Sequence, residues 1–157
     1  MNSRWITLIA ISAMPLLVPA CTRSPAGEEK NVEQTLAKYI QSVNTADLKL
    51  ASEVWLQTPV VSAVTPFGRF QGWESVRDSI YITFLQKAFT ERRLEPSNIE
   101  VHVSANTAWA AFDWTFVSTL ANGQAHTSKG WETQIYQRTS QGWRLVHSHY
   151  SVPPPRS

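Results

Sequence analysis

The chain has 157 residues, of which 43% are hydrophobic, and its 14 Lys plus Arg and 12 Asp plus Glu give a formal net charge of +2. This composition excludes a wholly disordered chain, and the length suits one domain with a single core. The basic residues are scattered, with no run longer than Arg92-Arg93, so we expect no nucleic-acid partner. The single cysteine excludes an internal disulfide framework and a Cys-rich zinc site.

The first twenty residues have the pattern of a secretory signal peptide. Arg4 precedes an uncharged stretch that runs to Ala20 and is shorter than a typical membrane span. The stretch ends in Leu-Val-Pro-Ala-Cys at 17–21, which resembles the bacterial lipobox, where a small residue precedes a cysteine that is lipidated. The alternative is an ordinary signal peptide cleaved near an unmodified Cys21.

Residues 21–30 are polar and rich in helix-breaking residues, which predicts a tether that is lipidated at Cys21. We therefore expect a protein secreted across the bacterial inner membrane and held at the cell envelope by its lipid alone. By resemblance to the sorting rules of Gram-negative bacteria, the absence of Asp after Cys21 favours the outer membrane.

Residues 31–153 are predicted to form one α+β domain, followed by a short tail at 154–157. The apolar spacing predicts three helices: one ending near Asn44, a short one capped by Asp47, and one starting at Gly72. A short strand is expected at 60–64. After residue 89 the period changes to 2, which predicts antiparallel strands near 99–103, 108–120, 124–138 and 143–151, with a type I′ turn at Asn122-Gly123.

The C-terminal strands also carry a family resemblance. The runs Glu-Thr-Gln-Ile-Tyr-Gln-Arg at 132–138 and Gly-Trp-Arg-Leu-Val-His-Ser-His-Tyr-Ser at 142–151 resemble SnoaL-like domains of the NTF2-like superfamily. They are also similar to the association domain of calcium/calmodulin-dependent protein kinases. The resemblance implies a ketosteroid-isomerase-like cone, with N-terminal helices packed on a curved antiparallel sheet. One such fold hosts isomerases, dehydratases, cyclases and binding modules, so it does not fix a function.

Strict alternation along the strands predicts two apolar sheet faces. One face carries Trp109, Trp131 and Trp143, together with Asp113, and the other carries Trp114. Because both faces are too apolar for water, we expect helices to cover one and a second subunit to cover the other. The sequence therefore predicts a homodimer formed through the three tryptophans.

The resemblance places the second face toward a pocket. Kinase association domains have arginines at the positions matching Trp114, Gln134 and Tyr150, and this chain has none of them. We therefore expect an aromatic, weakly polar pocket rather than an anion-selecting one. The candidate ligand-binding residues are Trp55, Phe112, Trp114, Gln134, Ser148 and Tyr150. Plain core packing is the alternative for the aromatic members.

The resemblance to ketosteroid isomerases implies catalysis by a carboxylate base in an apolar pocket, opposite hydrogen-bond donors. The candidate bases are Asp78, Asp113 and Glu132, with Tyr150 as donor. Alternation places Asp113 on the face opposite Tyr150. Glu132 shares the face of Tyr150, as do Gln134 and Tyr136, but its stretch of sequence looks exposed, which predicts a solvated charge. These candidates therefore do not predict a catalytic base and donor that act together. His147 and His149 share a strand face and could bind a metal, but a structural role is expected, with no metal and no cofactor.

Two functional hypotheses from different classes remain. The first is an envelope-anchored domain that binds a small, weakly polar ligand or a partner protein without catalysis. The alternative is an isomerase or dehydratase acting by proton transfer on an apolar carbonyl compound. A role confined to assembly, like that of the kinase association domain, is a third reading.

The N-terminal pattern yields a first prediction. Expressed in a bacterium with a fatty-acid probe, the full chain should be labelled, and Cys21→Ser should not be, because the thiol is the acyl acceptor. Equal labelling of the two proteins would exclude lipidation at this cysteine.

Overall fold

The structure is a computed structural model that describes residues 25–154. Three α-helices and a π-helix pack against one face of a six-stranded sheet. The helices are α1 (Pro25–Thr45), α2 (Leu48–Val54), α3 (Trp73–Val76) and the π-helix (Arg77–Gln86) that continues α3. The strands are β1 (Ser62–Thr65), β2 (Gly68–Gln71), β3 (Phe89–Ser104), β4 (Thr107–Leu120), β5 (Ala125–Thr139) and β6 (Gly142–Ser151).

The sheet order is β2-β1-β6-β5-β4-β3. All neighbouring strands are antiparallel except β1 and β6, which pair in parallel from Ser62 with His147 to Val64 with His149. The α+β class and the helices on one sheet face are confirmed, and the sheet is mixed rather than wholly antiparallel. The apolar core lies between the helices and the inward-facing residues of the long strands.

Most predicted elements are present, with shifted ends. Asp47 caps α2, because its Oδ1 accepts hydrogen bonds from the backbone N–H groups of Lys49 at 2.8 Å and Leu50 at 3.1 Å. The third predicted helix is largely a π-helix, a form that often occurs at functional sites. The hairpin at 122–123 is present, but only Gly123 has a positive φ, so its turn is not the expected type I′.

A β-bulge changes which side chains of β6 point inward. Ile135 pairs with His147 while Tyr136 pairs with Leu145, so Val146 is the extra residue. An extra residue inverts the alternation on either side of it. Trp143 and Leu145 therefore face the core, at 3% and 0% exposure, and the prediction that Trp143 lies on the outer face is wrong.

The outer face retains an apolar patch without Trp143. Trp109, Trp131 and Ile135 are 41%, 53% and 37% exposed. Trp109 and Ile135 are directly paired across β4 and β5, and the ring of His102 stacks on Trp109 at 4.2 Å. We call Trp109, Trp131 and Ile135 the outer patch.

The N-terminal end of α1 is fixed to the sheet where β5 ends and β6 begins. The Glu28 carboxylate accepts hydrogen bonds from Trp143 Nε1 at 2.9 Å and from the Arg138 guanidinium at 2.7 Å. These donors lower the pKa of Glu28, the indole of Trp143 most strongly. Residues 25–30, which the sequence placed in the tether, therefore belong to α1. The predicted signal peptide, Cys21 and the end of the tail lie outside the described residues.

Candidate functional site

A cavity of about 580 Å³ opens between the helices and the sheet. Its walls come from α1, the π-helix and the inner faces of β3, β4, β5 and β6, and the turn between β1 and β2 lies at its mouth. The lining residues are Tyr39, Val43, Pro66, Phe67, Ile80, Phe84, Leu85, Ala88, Phe89, Leu94, Trp114, Phe116, Leu120, His126, Ser128, Glu132, Tyr150 and Val152. The lining is largely apolar and aromatic, as in sites that take small organic ligands.

Glu132 is the acidic residue of this cavity. It lies on β5, paired across the sheet with Tyr150, and only 4% of its surface is exposed. Gln134 Nε2 donates to Glu132 Oε1 at 2.7 Å, and the Tyr39 hydroxyl donates to the same carboxyl group. The Gln134 amide is held in turn, because its Oε1 accepts from the Tyr136 hydroxyl. The expectation that Glu132 is a solvated charge is wrong.

Burial dominates the ionisation of this carboxyl group. Desolvation raises the pKa of Glu132 to about 7, and the hydrogen bonds from Gln134 and Tyr39 oppose that rise without cancelling it. None of the described residues that line the cavity is Lys or Arg. Glu132 can therefore exchange a proton near neutral pH within an apolar enclosure.

Tyrosines surround the carboxyl group, and none of them ionises near neutral pH. Burial, reinforced by the charge of Glu132, raises the pKa of Tyr39 well above its usual range. Burial likewise raises the pKa of Tyr81 and of Tyr150 to about 12. Their hydroxyls therefore act as neutral hydrogen-bonding groups. The Tyr150 ring meets the indole of Trp114 edge-on, with 6.0 Å between centroids.

Two of the six predicted ligand-binding residues, Trp114 and Tyr150, line the cavity. Gln134 is completely buried behind the wall and orients Glu132. Trp55 is buried and donates from Nε1 to the Tyr81 hydroxyl at 3.3 Å, which also bonds Ser42 Oγ at 2.9 Å. The other two, Phe112 and Ser148, are buried in the sheet interior, and neither lines the cavity.

The other candidate acids lie outside the cavity. Asp113 is half-buried and accepts a hydrogen bond from Asn98 Nδ2 at 2.6 Å. Asp78 is exposed and forms an ion pair with Arg77 at 2.6 Å, which lowers the pKa of the aspartate. The imidazole of His147 bonds Ser62 Oγ through Nδ1 at 2.8 Å, joining β6 to β1. Within residues 25–154, no group of three or more His, Cys, Asp or Glu side chains could hold a metal.

The sequence contained a signal for Glu132, although its burial was not predicted. Glu132, Gln134 and Tyr136 alternate on one strand and were placed on the face of Tyr150. Three polar residues on a face otherwise filled by aromatic side chains favour a buried network rather than a solvated edge.

The chain matches a known protein family. Residues 32–155 match the model of the SnoaL-like domain. The chain belongs to this family. The SnoaL-like domain also resembles an NTF2-like superfamily protein from Salmonella enterica serovar Typhimurium, with 30% identity and a TM-score of 0.81 over 85% of this chain and 96% of the other. No curated protein matches the sequence.

Two more distant structures share the fold. One is a hexachlorocyclohexane dehydrochlorinase from Novosphingobium barchaimii, with 13% identity and a TM-score of 0.69 over 80% of this chain and 86% of the other. The other is the association domain of the Caenorhabditis elegans calcium/calmodulin-dependent kinase II, with 17% identity and a TM-score of 0.65 over 82% of this chain and 98% of the other. The SnoaL-like domain thus has the NTF2-like cone that its C-terminal strands predicted.

The buried carboxyl group predicts a specific pH dependence of stability. Glu132 is protonated in both states below about pH 4.5, whereas between pH 4.5 and about 7 it is ionised only when unfolded. Its contribution therefore becomes less favourable as pH rises through this window. Above about pH 7 the full cost is present, about 3 kcal/mol. Above about pH 7, the free energy of unfolding of Glu132→Gln should therefore exceed that of the wild type by up to that amount. Near pH 4 the two free energies should differ little.

Urea unfolding at a series of pH values measures this difference. Glu100→Gln makes the same chemical change at an exposed position of β3, and its pH profile should follow the wild type. A constant offset between Glu132→Gln and the wild type across the series would contradict a raised pKa at Glu132.

Proposed function

We propose that this SnoaL-like domain binds a small, largely apolar organic molecule that carries one polar group. The observation that carries the proposal is the apolar cavity with Glu132 buried in its wall. The aromatic and aliphatic lining supplies the favourable free energy of burial. Glu132 and Tyr150, neighbours across β5 and β6, orient the polar group of the ligand. Carboxylates are disfavoured, because they would be desolvated beside Glu132 without an opposite charge.

A ligand titration tests this proposal. Calorimetry should show that naphthylmethanol binds more tightly than naphthoate, which has the same ring and a negative charge. Tyr150→Phe should weaken naphthylmethanol binding by up to about tenfold, since one hydrogen bond contributes about 0.5–1.5 kcal/mol. Tyr81→Phe removes a hydroxyl that does not line the cavity and should leave the affinity unchanged. A preference for naphthoate that is insensitive to Tyr150→Phe would overturn the proposed site.

A second candidate function, proton transfer, is favoured by the same carboxyl group. A base with a pKa of about 7 is matched to proton abstraction near neutral pH. An isomerase or dehydratase would use Glu132 to remove a proton beside a carbonyl group. The dehydrochlorinase that shares this fold is named for a reaction in which a proton and chloride leave its substrate.

Hydrogen exchange separates a catalyst from a binding module. In deuterated buffer, proton NMR should show that the wild type accelerates loss of the methyl signal of acetonaphthone, a ketone with exchangeable hydrogens. Glu132→Gln should abolish the acceleration, whereas Glu100→Gln should retain it. An exchange rate equal to that of buffer alone would argue against proton transfer and leave the binding function intact.

Envelope anchoring through Cys21 is part of the proposal. Its support is the lipobox-like run that ends the uncharged N-terminal segment. In residues 25–154 there is no helix long and apolar enough to cross a membrane. In this proposal the lipid on Cys21 attaches the domain to the membrane.

We also propose that the domain forms a homodimer through the outer patch. Exposed tryptophans grouped on one sheet face are typical of protein interfaces. Sedimentation velocity should show a dimer at roughly tens of micromolar, a range suited to a modest interface. Trp131→Lys should shift the protein to the monomer, and Val60→Lys, at a residue 70% exposed elsewhere, should not. A monomeric wild type would exclude this interface.

A further inference from the structure

We infer that the cavity selects protonated amines, so that the polar group of the ligand is an ammonium held by Glu132. The inference rests on the proposed ligand-binding function and specifies its ligand class as small hydrophobic amines. It follows from the charge of the lining, the free acceptor sites of the carboxylate and the aromatic walls.

The lining is unbalanced in charge. Glu132 can become an anion inside the cavity, and among the described lining residues no Lys or Arg offsets it. An unpaired carboxylate in an apolar enclosure is costly, and an opposite charge within a few ångströms reduces that cost. A ligand ammonium supplies the missing charge, whereas an alcohol or ketone does not.

The carboxylate also has acceptor sites to spare. Two oxygens offer about four lone-pair sites, and two donors from the protein, Gln134 and Tyr39, occupy some of them. An ammonium brings three N–H donors. Charge-assisted hydrogen bonds of this kind are about twice as strong as neutral ones.

Aromatic rings complete the environment that an organic cation prefers. Trp114 and Tyr150 line the cavity next to Glu132, and Tyr39 lines it from α1. The faces of Trp and Tyr attract cations, most strongly where water is excluded. The hydrocarbon part of the ligand would pack against the apolar remainder of the cavity, beside Phe84 and Phe116.

The tyrosines around Glu132 do not change charge between pH 6 and 8. The carboxyl group faces Tyr39 from α1, Tyr81 from the π-helix, Tyr136 on its own strand and Tyr150 from β6, and the pKa values of these tyrosines are all raised. Phe112, its partner on β4, does not titrate. His126 is exposed and lies near the mouth, so a control variant is needed at that position.

Matched probes test the charge preference. Naphthylmethylamine, naphthylmethanol and naphthoate share one ring and differ in charge, and calorimetry on the full chain compares their affinities. At about pH 8 the amine should bind at least about tenfold more tightly than the alcohol, and naphthoate least tightly. At about pH 6 the amine should bind roughly tenfold more weakly than at pH 8, because the ionised fraction of Glu132 falls from about 0.9 to about 0.1.

Variants assign the effect to one carboxyl group. Glu132→Gln should reduce the amine affinity to that of the alcohol and abolish its pH dependence. Glu100→Gln and His126→Gln should preserve both the preference and the pH dependence. Circular dichroism and cooperative urea unfolding confirm that each variant is folded.

Each outcome has a distinct meaning. Equal affinity for amine and alcohol, or an amine preference that survives Glu132→Gln, would overturn the inference while leaving the binding function in place. Failure of all three probes to bind would overturn the binding function together with the inference.

Discussion

The carboxyl group of Glu132 is buried with neutral donors as its protein partners, and this constraint organises the interior of the described domain. Its partners come from two layers: Tyr39 from α1 and Gln134 from β5. Gln134 is held in turn by the Tyr136 hydroxyl. In a low-dielectric interior each donor has to be in place, because an unsatisfied acceptor there is costly. The same polar centre thus joins α1 to the sheet and leaves one carboxyl group facing the cavity.

The sequence predicted the fold well because the fold depends on periodic burial. Strands β4 and β5 alternate as expected, β6 does so except at its bulge, and α1 and α2 carry their apolar residues at helical spacing. Trp114 and Tyr150 were placed at a pocket from the resemblance of the C-terminal strands, and both line the cavity. Aromatic side chains on the strand face that the helices cover necessarily lie between sheet and helices, where the cavity is.

The predictions that were wrong concern residues where a local irregularity or a tertiary contact overrides the alternation of the strand. One extra residue, Val146, turned Trp143 and Leu145 inward, and nothing in their immediate sequence marks a bulge. Glu132 was predicted to be a solvated charge because charged side chains are seldom buried and its stretch of sequence looks exposed. Its burial depends on Tyr39, which lies far away in sequence. Alternation predicts which face of a strand a side chain lies on, but its burial depends on residues from distant parts of the sequence.

The attachment of Glu28 to Arg138 and Trp143 has a consequence for how the domain is presented. It fixes the start of α1 at one end of β5, whereas His126 and Ser128 border the cavity mouth near the other end. Ten residues of strand between Ser128 and Arg138 span roughly 30 Å. If Cys21 carries a lipid as proposed, we expect the end bearing Glu28 to lie nearer the bilayer than the cavity mouth. Ligands would then be exchanged with the surrounding water rather than drawn sideways out of the membrane.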